Sequence, residues 1–68
     1  MATQDRLHLW PHRDRFEVSL REHDGLRTVL SPPLSRDRAD RAWEIAARAL
    51  ENGVCIDGVR ARLAEEGV

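Results

Sequence analysis

The apolar positions in the first half of the chain alternate with polar ones. In RFEVSLREHDGLRTVLSPP, residues 15–33, β-forming residues recur at every second position on both sides of a His-Asp-Gly signal, which predicts a β-hairpin. A two-residue Asp24-Gly25 turn would leave Leu26 and Leu30 on the polar face. A three-residue His23-Asp24-Gly25 loop instead pairs Glu22 with Leu26, Leu20 with Thr28 and Val18 with Leu30, with Gly25 in the left-handed position such a loop needs. That register gathers Phe16, Val18, Leu20, Leu26 and Leu30 on one face. It also sets Arg21 opposite Arg27 on the wet face, which is unfavourable unless an acid such as Glu17 lies nearby. Upstream, RLHLW (6–10) supplies a candidate third strand, with Pro11 as its stopping point because proline donates no hydrogen bond. SPPLS (31–35) reads as a stiff connector that ends the sheet.

The period then changes. RDRADRAWEIAARALEN (36–52) follows Ser35 as a candidate N-cap and precedes Gly53 as a candidate stop. At about 100° per residue, Asp37, Asp40, Arg41, Glu44, Arg48 and Glu51 fall on one arc and form an i,i+3/i,i+4 charge ladder. That arc reads as a solvated face. Ala39, Trp43, Ala46, Ala47 and Leu50 form a stripe suited to lie on the sheet, with Trp43 as its large core residue. Ala42, Ile45 and Ala49 form a second stripe, roughly 125° from Trp43. Its alanines admit another backbone closely, with Ile45 as the knob. A short helix over GVRARLAEE (58–66) is expected to start from Asp57 as cap and stop at Gly67. Val59 and Leu63 cover only part of the second stripe, so apolar surface is expected to remain for a second copy or another protein.

The expected fold class is therefore α+β: a small antiparallel β-hairpin or three-stranded sheet, then a long helix and a short C-terminal helix. The expected organisation is one small domain over 1–68, with a β region at 5–31, a proline connector at 32–35 and a helical pair at 36–66. Sixty-eight residues allow little more than one marginal core. One cysteine, Cys55, excludes an internal disulfide framework and favours a reducing, cytoplasmic location. MATQDRLHLWPHRD contains no apolar run of the signal-peptide kind, and no stretch is long and apolar enough for a membrane span, so no membrane partner is expected.

Charge narrows the partners. Eleven arginines, no lysine and twelve carboxylates give a net charge of −1, and no segment of the chain is basic. A dedicated DNA-backbone binder shows a basic excess. The break Gly53-Val54-Cys55-Ile56-Asp57 between two helices resembles helix-turn-helix units, including those of site-specific recombinases. The resemblance implies a second helix offering Arg60 and Arg62 to DNA. Glu65 and Glu66 follow them, and the first helix of a three-helix unit is missing because that stretch reads as strand. HRDR (12–15) beside Trp10 is a further place where Arg13 and Arg15 would grip phosphates while the indole stacks.

Little catalytic chemistry is legible. His8, His12, His23 and Cys55 lack the tight spacing of a structural zinc site, and no cofactor motif or glycine-rich phosphate loop is present. The acids are interleaved with arginines, the wrong setting for a general acid. The expectation is a non-catalytic protein-interaction or accessory subunit, oligomeric or bound to a larger partner, docking through Ala42, Ile45 and Ala49 with Trp10 and Val68. Two alternatives stand beside it: a small DNA-binding transcriptional regulator using Arg60, Arg62, Arg13 and Arg15, and a small non-catalytic subunit of an enzyme complex. Under the regulator reading, Arg60 and Arg62 are removable without harm to the fold.

Overall fold

The structure is a computed structural model and describes residues 6–68. The expected β region begins at residue 5, and residues 1–5 lie outside the described residues. Strands β1 (Leu7–His12), β2 (Arg15–Arg21) and β3 (Arg27–Val29) form one antiparallel sheet in the order β1-β2-β3. Helices α1 (Arg36–Glu51) and α2 (Ile56–Glu65) follow. This is a small α+β architecture with the three-stranded form of the sheet.

The hairpin uses the three-residue loop. Leu20 pairs with Thr28 and Arg21 with Arg27. The Glu22 N–H donates to the Leu26 carbonyl at 2.8 Å, the Leu30 N–H donates to the Val18 carbonyl at 2.8 Å, and Gly25 has φ +85°. Strand β1 runs past its expected stop, through Pro11 to His12. Proline is tolerated because β1 is an edge strand and Pro11 faces Phe16 at a position whose nitrogen needs no ladder partner. The β1–β2 turn is the dipeptide Arg13-Asp14, with Arg13 at φ +59°. The proline connector adds one further pairing. Phe16 and Leu34 exchange backbone hydrogen bonds of 2.8 Å, while Ser31 Oγ accepts the Val18 N–H at 3.1 Å.

Helix α1 packs on the face carrying Leu7, Val18, Leu20 and Leu30, all buried together with Leu34, and α2 packs on α1 on the same side of the sheet. Leu26 belongs to this face by alternation, yet it is 67% exposed. It sits at the hairpin end, where Glu22 bridges the Arg6 guanidinium and the Thr28 hydroxyl, each at 3.0 Å, and polar groups take the place of core. Trp43 lies only partly buried against the core, because its Nε1–H reaches the edge of the sheet and donates to the Leu7 carbonyl at 3.0 Å.

The second stripe of α1 is covered from within the chain. Ala42 and Ala49 are fully buried, Val59 and Leu63 of α2 are buried with them, and only Ile45 stays partly open. The anticipated apolar surplus is thus mostly absent, since alanine lets α2 approach α1 closely enough for two side chains to cover the stripe. Both helices end in the paired backbone hydrogen bonds of a Schellman turn. Gly53 (φ +79°) returns Val54 to the Ala49 carbonyl, and Gly67 (φ +70°) returns Val68 to the Leu63 carbonyl. Val54 and Val68 therefore pack on the chain's own core.

Two caps differ from expectation. Ser35 occupies the N-cap of α1 without a side-chain hydrogen bond. Helix α2 begins one turn-fraction earlier than anticipated, with Cys55 as N-cap, which moves Asp57 into the first turn, where its charge still suits the helix N-terminus. Arg60 has a structural role: its Nε and Nη2 donate to the Val29 carbonyl at 3.1 and 2.8 Å, tying α2 to β3.

Two stability outcomes follow. Arg60→Ala is expected to lower the unfolding free energy by about 1 kcal/mol through loss of that clamp, read as a shifted urea midpoint with unchanged slope. A Cβ at Gly58 would meet Val54 Cγ1 at 2.6 Å. Gly58→Ala is therefore expected to destabilise by about 1 kcal/mol despite alanine's better helix propensity, because β-branched Val54 has little freedom to move aside. A stabilised Gly58→Ala protein in the same titration would refute the close packing of Val54 on α2.

Candidate functional site

With the helices on one side, strand alternation assigns a distinct set of side chains to the other. His8, Trp10 and His12 from β1, Arg15, Glu17, Ser19 and Arg21 from β2, and Arg27 and Val29 from β3 share this open face. Trp10 is 49% exposed and Val29 38% exposed, two of the three large apolar side chains the described surface leaves open.

Near the centre of this face lies a carboxylate that is buried although no other layer covers it. Glu17 is 5% exposed and Ser19 1%. Glu17 Oε1 lies 3.0 Å from His12 Nε2, its Oε2 lies 3.3 Å from Arg27 Nε, and the Ser19 hydroxyl donates a short hydrogen bond to the same Oε2. The Arg27 guanidinium carbon lies 4.3 Å from the centroid of the Trp10 ring, a cation–π contact. Register explains how one side chain does both. Arg27 pairs with Arg21, and the next β2 residue on that face is Ser19. Serine is small enough for the Arg27 side chain to reach past it toward Glu17 and β1. Glu17 thus supplies the nearby acid that relieves the Arg21–Arg27 pairing.

The result is a guanidinium placed over an indole and ion-paired to a buried carboxylate. Beside it lies an open depression of about 580 Å³ lined by His8, Leu9, Trp10, Ser19, Arg21, Gly25 and Arg27. The charge on this face is one-sided: three arginines against the single buried Glu17. Arg27 is committed to Glu17, but the Arg15 and Arg21 side chains have no hydrogen bond or ion pair among the described residues. The helical layer is different. Arg36 pairs with Asp40 at 3.1 Å, Arg41 with Glu66 at 3.6 Å and Arg60 with Asp57 at 3.5 Å. His12, Glu17 and Ser19 form a chain with the carboxylate in the middle, so the imidazole is not the group that meets the hydroxyl. This order positions side chains; it does not reproduce the contact in which an imidazole takes a proton from serine.

The residues singled out from the sequence do not form one site. Trp10 and Arg15 lie on the open face, and Arg13 lies in the turn at its end. Ile45 lines a groove with Arg48, Arg62, Glu65 and Glu66 on the helical side. Ala42 and Ala49 are inside, Val68 is half-buried on the core, and Arg60 is held by Val29. The sequence reading missed Arg21, Arg27 and Ser19 as partners of Trp10. Alternation marks them as wet-face residues, and the missing signal was the β1–β2 register, which sets Trp10 opposite Glu17.

Removing the charge beneath the stack tests this geometry. Glu17→Gln is expected to lower stability by about 1–2 kcal/mol, as a charged hydrogen-bond acceptor is lost. Loosening of Arg27 should also change the emission of Trp10, followed in a Trp43→Phe background. Unchanged emission would mean that Arg27 does not depend on Glu17 for its place on the ring.

Comparison with family models, with curated proteins and with solved structures finds no match to this chain.

Proposed function

We infer that this chain is a non-catalytic binding module whose contact surface is the open face of the sheet and whose partner is anionic there. The observation that carries the reading is the pair of guanidiniums, Arg15 and Arg21, that have no ion pair among the described residues and share a face with the half-exposed Trp10 and the Arg27 over its ring. The preorganised stack supports it further: the carboxylate under Arg27 fixes an exposed aromatic–cation pair before any partner arrives, which lowers the ordering cost of binding. Docking through the helical stripe has less support, because Ala42 and Ala49 are buried and Ile45 lies among charged groups. A DNA-reading role for α2 loses Arg60, which is occupied at the sheet edge.

The test compares surfaces. The full chain, a Trp10→Ala/Arg21→Ala variant and an Ile45→Asp variant are immobilised, and bound protein and nucleic acid from an extract of the source cells are both quantified. Binding that is lost in the sheet variant and kept in Ile45→Asp is expected. Binding lost only in Ile45→Asp would overturn the reading in favour of the helical face.

A further inference from the structure

Resting on that reading, we propose that the anionic partner of the open face is single-stranded nucleic acid. Arg15 and Arg21 lie six residues apart on β2, roughly 20 Å at the rise of a strand. An isolated small anion cannot meet both, whereas a chain with repeated negative charge can. Between and beside them the face offers the Arg27–Trp10 pair and the depression that His8, Ser19 and Arg21 help to line. A flat cation–aromatic pair recognises flat π systems, and unpaired bases stack on indole and guanidinium planes alike. An acidic peptide would satisfy the arginines and leave the stack unused. A duplex presents its phosphates but keeps its base faces within its own stack. Arg13, in the turn at the end of the face and with no side-chain partner among the described residues, extends the cationic track beyond Arg15.

The chain's net charge of −1 is compatible with this assignment, because seven of its twelve acids lie in the helical layer. Asp37, Asp40, Glu44, Glu51, Asp57, Glu65 and Glu66 belong to the helical layer, Glu22 is engaged with Arg6 and Thr28 at the end of the core face, Asp24 accepts the Leu26 N–H at 3.0 Å in the hairpin loop, and Asp14 sits beside Arg13 in the β1–β2 turn. Glu17 is the one carboxylate of the strands on the open face, and it is buried under Arg27.

The experiment is fluorescence anisotropy of end-labelled fifteen-nucleotide oligothymidine and oligouridine with the full chain, between 20 and 200 mM salt. Dissociation constants in the micromolar range at low salt are expected. Two to three phosphate contacts predict a log–log salt slope of about −1.5 to −2. Trp10→Ala and Arg21→Ala should each weaken binding by roughly tenfold, consistent with the stacking and charge terms they remove. The Arg21 side chain has no hydrogen bond or ion pair among the described residues, so its variant remains informative if Trp10→Ala is destabilised. Ile45→Asp should bind like the parent chain. Absence of binding at 100 μM protein, affinity unchanged from the parent chain in both the Trp10→Ala and Arg21→Ala variants, or tighter binding of a duplex of the same length would overturn the assignment. So would polyglutamate binding as tightly as the oligonucleotides. If polyglutamate binding is lost in the sheet variants, the open face remains an anion-binding surface and only the nucleic-acid assignment falls.

Discussion

The fold depends on how closely two helices and a sheet can approach when alanine does most of the filling. Five of the buried core positions, Ala39, Ala42, Ala46, Ala47 and Ala49, are alanines on one helix. Such side chains contribute little area each, and their value lies in letting neighbouring backbones come near enough for Val18, Val59 and Leu63 to be buried completely or nearly so. Close approach needs orientation to be fixed by something besides bulk, and polar clamps supply it. Trp43 of α1 reaches the Leu7 carbonyl, Arg60 of α2 reaches the Val29 carbonyl, and Arg38 of α1 reaches the Gly67 carbonyl beyond α2 at 2.9 Å. Each joins two elements that alanine alone would leave free to slide.

Having both helices on one side leaves the sheet with a face that must be stable in water. A central β2 position on such a face is surrounded by neighbours, so whatever occupies it is buried by side chains instead of by another layer. Here that place is taken by Glu17 and Ser19, and no buried side-chain nitrogen or oxygen among the described residues lacks a hydrogen-bond partner. A satisfied polar centre keeps the face from being an apolar sheet seeking a second layer. It also ties Arg27 to the centre of the face while its guanidinium lies over the exposed Trp10 ring.

Much of the architecture was legible because its determinants are local. The loop length followed from which register kept Val18, Leu20 and Leu30 together, and Gly25, Gly53 and Gly67 marked their left-handed turns. Other features were not local. Alternation gave Leu26 a face, but not the distance to which the covering helices extend. Periodicity showed that Ala42, Ile45 and Ala49 needed a partner, but a stripe does not say whose helix lies on it. The Trp10–Arg27–Glu17 arrangement depends on three strands at once and on a serine small enough to be crossed, so no single segment carries its signature. Gathering the arginines of β2 and β3 onto one face likewise required the sheet to be assembled, since segment-by-segment counting of charge averages the two faces together.

The clamps at Leu7 and Val29 also bear on what this sheet can become. A strand added to either side would need the edge backbone groups, and at each edge one carbonyl is already engaged by a helix side chain, while Pro11 withholds an N–H from the β1 side. Growth by strand addition, the usual route from a small sheet to an intermolecular ribbon, is thereby obstructed in both directions. The sheet is a terminated tile, its rim partly occupied by the chain's own side chains.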